Sequence, residues 1–450
     1  MAFSAPRMVT SVPGPQSQTF LDHQDEVESN ARSYPRGIPI AIKKALGGYV
    51  QDVDGNVFID FLSAAGALPL GHNPPCAVAA VNAQMESCSQ ALDIPTPAKQ
   101  AFNDAVLGLL PPAMQGRMKL HFCGPTGADA VEASIKLAKF VTGRSNVFSF
   151  QGGYHGCTNG AMAVTGLLGP KEGVANPMAG VQFFPYSHCY RCPLGLQRSN
   201  CAVNCIRYLE NTLQDPNGGS LKPAAVILEM LQGEGGVIPA QREFAQTLRR
   251  ITQEHGIVLI VDEIQTGCGR TGNWFAFEQY GIEPDVILLS KGIGGMGLPV
   301  SVMAFDRKLD TWPPGKHIGT FRGNQLAFAA GVAVLKEMHE QNVLHNVALR
   351  GEQLRTALLG LQQRHAFIGD VRGLGLMQGC EIIDPASGAI NPKLAARIRK
   401  AALSRGLILE LGGRDDCVVR FLPPLNVSSQ TMQQAMEVLA AAMDEVAHLN

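Results

Sequence analysis

The sequence predicts an α/β protein with a large domain built on a mostly parallel seven-stranded sheet. A smaller α+β domain is drawn from both chain ends. Three observations predict this. From Lys119 onward, short β-rich runs alternate with helical stretches. Most of those runs are nearly continuously apolar, as in strands covered on both faces. The chain is 450 residues long, 46% apolar and only 17% charged, which is ample for more than one domain and a sizeable core.

In chain order, the first twenty residues, MAFSAPRMVTSVPGPQSQTF, lack a continuous apolar segment. They read as a loose, flexible polar tail (1–20), not as a secretory signal. Residues 47–62 read as a hairpin, YVQDV and NVFIDF around an Asp54-Gly55 turn, inside the N-terminal part of the small domain (21–75). In the large domain (76–334) the expected strands are 119–123, 146–150, 181–184, 225–229, 257–262, 285–290 and 300–304. Helical spacing of apolar residues predicts helices over 129–141 and 243–255. A helix crossing back to the small domain is expected to begin within 330–345. The C-terminal small domain (335–450) then holds strand candidates 375–383, 407–410 and 418–422 and helices 393–403 and 430–447.

Composition excludes some partners. With 37 Lys+Arg against 38 Asp+Glu, the net charge of −1 supplies no basic excess for nucleic acid or an anionic membrane surface. No apolar run reaches the ~18 residues of a membrane span. Eleven cysteines in a long chain without a signal point to free thiols in a reducing cytoplasm rather than a disulfide framework.

Two glycine motifs call for a reading. Gly292-Ile293-Gly294-Gly295-Met296-Gly297 fits G-x-G-x-x-G, but it runs into Leu298-Pro299 and another strand instead of opening a helix, so it reads as a tight turn. Gly124-Pro125-Thr126-Gly127-Ala128-Asp129 follows a strand and does open a helix. Without the Lys-Ser/Thr of a P-loop it does not suit a nucleoside triphosphate. Backbone N–H groups of Thr126, Gly127 and Ala128 suit a single phosphate, or simply start the helix.

Asp262 ends an Ile-rich strand in LIVDEIQTGCGRTG, and Lys291 follows the next strand in DVILLSKGIGG. Both lie where open α/β sheets bind ligands, at carboxyl strand ends. Singly they could be a helix-capping Asp and a surface Lys. Together with a phosphate-ready turn they suggest pyridoxal phosphate: a Schiff-base lysine, a carboxylate for the pyridinium nitrogen, and a phosphate cup.

From about Glu26 to the C-terminus the chain resembles the class III pyridoxal-phosphate aminotransferases of fold type I. The resemblance rests on GPTGADAVEASIKLA, FQGGYHG, ILEMLQGEGG, LIVDEIQTGCGRTG, LLSKGIGG, GTFRGNQLA and VRFLPPL. It implies that Lys291 is the Schiff-base lysine and proton carrier, and that Asp262 keeps the ring nitrogen protonated. It implies that Gln265 contacts the ring hydroxyl, with Ile264 on one ring face and Tyr154 on the other, His155 and Gly156 behind it. It implies that Thr126, Gly127 and Ala128 cup the phosphate and that Thr320 reaches the phosphate of a partner subunit. The last role implies a homodimer, or a tetramer, with sites at the interface. Glu234 and Arg420 resemble a gated pair that lets one site accept two kinds of substrate.

One position departs from the pattern. Many relatives carry Arg after the aromatic-His-Gly triplet, where this chain has Cys157. That distal carboxylate contact is not carried over, and a 4-aminobutyrate-like donor is disfavoured. ESNARSYPR and GTFRGNQ are similar to the branch that transfers the terminal amine of diaminobutyrate to 2-oxoglutarate. Arg32 or Arg36 is a candidate replacement contact, against the plainer reading of two solvated surface residues. Cys189, Cys192, Cys201 and Cys205 have spacing that zinc could use, but read first as packed thiols, with no metal in the chemistry. The alternatives are transfer from another ω-amino acid or diamine, a decarboxylase or racemase of the same fold, and a metal-binding or redox protein using that cysteine loop.

Overall fold

The computed structural model describes residues 6–448. Its largest sheet has seven strands in the order Met118–Gly124, Ser301–Asp306, Val286–Leu289, Val258–Asp262, Ala225–Leu228, Val147–Phe150 and Val181–Phe184. The last five named run parallel to one another. Ser301–Asp306 is antiparallel to both neighbours. All seven fall on the expected segments. Four central strands are buried at every residue, which is why they read as unbroken apolar runs.

The antiparallel strand explains the glycine-rich motif. An antiparallel return needs no crossover helix, so the chain can turn back quickly after Leu289. Lys291–Gly294 forms a short 3₁₀ turn there. A Cβ on Gly295 would come within 2.6 Å of the Ala330 carbonyl oxygen, and one on Gly331 within 2.3 Å of that of Ile293. The glycines thus let this turn pack backbone-to-backbone on the helix Gln325–Glu340.

Both chain ends join one body of structure. The strands Ile42–Leu46, Tyr49–Asp52 and Val57–Asp60 form an antiparallel meander to which Leu407–Ile408 adds in parallel. A second antiparallel sheet orders Ile368–Leu374, Met377–Ile382, Val418–Phe421 and Glu410–Gly412. Ile59 and Phe61 share a buried cluster with Leu354, Leu394, Ile398 and Leu439 from C-terminal helices.

Three sequence expectations change. The polar tail is ordered wherever it is described: Arg7 exchanges two backbone hydrogen bonds with Val57, and Pro15–Val27 is a helix. The hairpin turn supplies the order. Asp54 accepts from the Gln16 and Ser17 N–H groups, and Asn56 Oδ1 from those of Val9 and Thr10. Residues 1–5 lie outside the described residues. The crossing helix begins at Gln325, earlier than expected, because Asn324 Oδ1 accepts from the N–H groups of Leu326 and Ala327. It ends at Glu340, and a second helix, Val343–Arg364, follows Asn342 at φ +50°. The strand Ile368–Leu374 was not expected, because its glycines and charges hide the apolar alternation.

Candidate active site

The carboxyl ends of the parallel strands open into a cleft of about 480 Å³ lined by residues 126–128 and 154–158, by Glu229 and Glu234, and by Asp262, Ile264, Gln265 and Lys291. Asp262 is the last residue of its strand and is buried. Its Oδ1 accepts from the Ile264 N–H at 3.0 Å, and its Oδ2 lies 2.8 Å from His155 Nδ1, which donates as an N–H. His155 is buried too, and its backbone N–H donates to Thr165 Oγ1. The carboxylate is thus fixed in direction from both sides, with lone pairs left toward the cleft.

Glu229 does for Tyr154 what His155 does for Asp262. It follows the strand Ala225–Leu228 and accepts from the N–H groups of Tyr154 and Gly233, each at 2.9 Å. Burial pushes its carboxyl up to about 7, despite the opposing effect of His155. Glu263, also buried and pushed up to about 7 by burial, does not line the cleft; it accepts from the Phe277 N–H and the Thr266 hydroxyl. Tyr154 stands half-buried over the cleft, its hydroxyl 3.5 Å from Cys157 Sγ.

Next to Gly156, Thr126 precedes the helix Gly127–Thr142. Its N–H and hydroxyl both donate to Asp129 Oδ2, at 2.9 and 3.0 Å, so the N–H groups of Gly127 and Ala128 are the ones left to meet an anion. There is little room here for an added carbon. A Cβ on Gly127 would meet Ile264 Cδ1 at 2.8 Å, and one on Gly156, at φ +125°, would meet Ala128 Cβ at 2.7 Å. Gln265 donates to the Ala65 carbonyl, while its Oε1 is buried without a partner, as is His155 Nε2.

Lys291 sits at φ +47°, a left-handed conformation that costs a non-glycine residue about 1–2 kcal/mol. The strain turns its side chain from the end of Val286–Leu289 into the cleft. Burial lowers its pKa below the ordinary lysine value, with Glu234 opposing.

Behind Glu234 lies Arg420, 1% exposed. Glu234 Oε1 is 2.9 Å from its Nη1, and Glu410 pairs with its Nη2. Burial would raise the Glu234 carboxyl, but Arg420 and Lys291 hold it below the usual range. Glu410 is raised, by burial first and with Glu234 adding to it.

The fold therefore gathers Thr126, Gly127, Ala128, Tyr154, His155, Glu234, Asp262, Ile264, Gln265 and Lys291 into one cleft, with Arg420 at its back. It does not bring Thr320 there: that residue lies on an exposed loop, its carbonyl 3.4 Å from Gln90 Nε2. Nor do Arg32 and Arg36 enter. Arg32 donates to the carbonyls of Glu28 and Ser29, and Arg36 to those of Asn30 and Arg32. Cys189 is exposed, Cys192 and Cys201 half-buried and Cys205 buried; among the described residues no three His, Cys, Asp or Glu are placed to hold a metal ion. Sequence reasoning missed Glu229 and Glu410. The first had the same signal as Asp262, a carboxylate just after a buried strand; the second had none.

Known proteins resemble this chain in sequence and in fold. Residues 31–443 match the family described as aminotransferase class-III. A diaminobutyrate–2-oxoglutarate aminotransferase of Haemophilus influenzae is 49% identical over 427 residues, 93% of each chain. One of Rhizobium meliloti is 46% identical, covering 95% of this chain and 93% of its own. Among solved structures, an amine transaminase from an uncultivated Pseudomonas species, in a PLP-bound form, superposes with TM-score 0.84 at 27% identity, covering 93% of this chain and 98% of that one. A Bacillus anthracis aminotransferase gives TM-score 0.86 at 26% identity, with 96% and 99% covered. By its sequence over nearly its whole length and by its fold, this chain belongs to the class III aminotransferases.

Proposed function

We propose that the cleft holds pyridoxal phosphate and moves a terminal amino group from a donor such as L-2,4-diaminobutyrate to 2-oxoglutarate, in two alternating half-reactions. The observation that carries this reading is Arg420, buried at the back of the lysine-bearing cleft and paired with Glu234 on a glycine-flanked loop. A transaminase of this kind must accept a substrate with a carboxylate beside the reacting carbon and one with only CH₂ there. A buried guanidinium suits the first and needs a stand-in anion for the second.

The residues present fit the cofactor. Two buried polar atoms without partners, Gln265 Oε1 and His155 Nε2, lie at or behind the cleft, and the helix start offers two N–H groups where a phosphate would bind. Lys291 Nζ would hold the cofactor, Asp262 would take its ring N–H, and Ile264 and Tyr154 would cover its faces. When bound, the group supplies an electron sink for the carbanion at the substrate's reacting carbon. Asp262, held by His155 and Ile264, would offer its carboxylate to the ring nitrogen. Lys291 Nζ, its pKa lowered by burial, takes and returns the proton at the reacting carbon. Glu234 covers Arg420 while a terminal amine is bound and gives way to a substrate carboxylate, which the guanidinium receives bidentately.

The active unit is read as a homodimer. Thr320 stands on a surface where Ile318, Phe321, Leu92 and Ile94 expose 46–75% of their area, an apolar group that a second copy would cover. Residues 76–334 are taken as the cofactor-binding domain, and 21–75 with 335–450 as the smaller one. Among the described residues no helix is long and apolar enough to cross a membrane. Free thiols and balanced charge favour a cytoplasmic location. A screen of amino donors with 2-oxoglutarate, following glutamate, tests the reaction. Glutamate should form fastest from 2,4-diaminobutyrate; formation only from donors that lack a terminal amine, or from none, would reject the reading.

A further inference from the structure

Arg420 is held by two carboxylates that are mounted differently. Glu410 opens the strand Glu410–Gly412 and is the register partner of Arg420 on Val418–Phe421. Cross-strand partners share a sheet face, so this pair is locked by the ladder. Glu234 sits instead in the turn between the two-residue strands Leu231–Gln232 and Ile238–Pro239, among Gly233, Gly235 and Gly236. Its contact is also the looser one. Glu234 lies 2.9 Å from Nη1, yet that buried nitrogen has no hydrogen bond, so the carboxylate neutralises the donor without satisfying it.

We infer that Glu410 is the permanent counter-ion of Arg420 and a specificity-determining residue, biasing the site toward a donor with a second ammonium group and against tight retention of dicarboxylates. The inference rests on the two-substrate reading above. Charge counting gives its direction. With Glu234 in place, one guanidinium and two carboxylates leave a net charge of −1, which favours a dibasic donor. With Glu234 displaced, Arg420 and Glu410 together are neutral. An arriving carboxylate then gains an unsatisfied donor at Nη1 but not a full positive charge, so it binds and can leave. Removing the Glu410 charge adds +1 to both states, which must strengthen dicarboxylate binding and weaken binding of the diamino donor, whose two ammonium groups and one carboxylate carry a net +1. A merely structural pair would weaken both.

The test uses holoenzyme of wild type, E410Q and E410D. Calorimetry gives the affinity for glutarate, an unreactive dicarboxylate, and single-turnover absorbance gives the half-saturating concentration of 2,4-diaminobutyrate. E410Q should bind glutarate about tenfold tighter and need about tenfold more diaminobutyrate, a size typical of charge pairs at binding sites. E410D keeps the charge but shortens its reach, so both shifts should be smaller and of the same sign; if E410Q does not fold, those signs decide. Shifts in a common direction for the two ligands, or none, would overturn the assignment. Wild type failing to react with diaminobutyrate while the glutarate shift appears would instead reject the reaction reading and leave the charge role standing.

Discussion

The Asp262 end of the cleft rests on strand ends of one sheet, whereas the Arg420 end is assembled from a strand of another sheet and a turn with three glycines. At the first end every carboxylate is tied to backbone: Asp262 to Ile264, Glu229 to Tyr154 and Gly233. At the second, Arg420 faces two carboxylates and keeps a donor unsatisfied. The contrast matches two tasks. A cofactor that stays in place is served by fixed dipoles, which need no reorganisation during reaction. Two alternating substrates need a contact that can be made and broken at small cost, and an ion pair held off hydrogen-bond alignment supplies one.

Breaking each end should give different signatures. The largest effect is expected from Arg420→Ala: the 2-oxoglutarate half-reaction should weaken by about 2–5 kcal/mol, as when a buried charge pair loses one member. The diaminobutyrate half should suffer less. Single-turnover absorbance on folded protein checks this, and equal losses in both halves would make the pair merely structural. Asp262→Asn is nearly isosteric and should slow both half-reactions by roughly 10²–10³, the usual size for a lost electrostatic partner of the reacting system. Rates within a few-fold of wild type would remove Asp262 from its role.

The buried carboxyls at the fixed end make stability depend on pH. Glu229 and Glu263 are raised from 4.5 to about 7 by burial. A carboxyl raised on folding contributes stability that is complete below its unfolded value and is lost as pH rises through the folded value. The protein without cofactor should therefore lose stability between pH 4.5 and about 7, on the order of 3 kcal/mol per group. Glu229→Gln should remove roughly half of that fall in a series of denaturant titrations; an unchanged slope would mean that Glu229 ionises freely in the fold. The smallest effect is expected at Gly156, where φ +125° and the 2.7 Å approach to Ala128 penalise any side chain. Gly156→Ala should cost about 1–3 kcal/mol and weaken cofactor binding with it. Full cofactor affinity in that variant would show that the wall yields.

Much of the fixed end was legible in the sequence, for a physical reason. Strands buried on both faces are written as continuous apolar runs, and the polar residue that ends such a run must lie at the sheet's edge, as Asp262 and Lys291 do. Glu229 obeys the same rule after Ala225–Leu228 and could have been read that way. Glu410 could not: its meaning comes from being opposite Arg420, and register between strands separated by a turn is set by packing that one sequence does not display. The N-terminal helix was missed for a related reason, since its cap comes from Asp54, far along the chain. Thr320 is legible only through family resemblance, because one chain places it at the surface.

The role of Lys291 is the point on which the proposed reaction depends most directly. Its strained backbone and half-buried side chain turn one amine into the cleft that Asp262 and Glu234 also line. The purified protein should be yellow, borohydride reduction followed by peptide mapping should find a single pyridoxyl group, on Lys291, and Lys291→Ala should bind cofactor weakly and lose turnover. A label on another lysine, or near-normal activity in the Lys291→Ala protein, would contradict the whole arrangement.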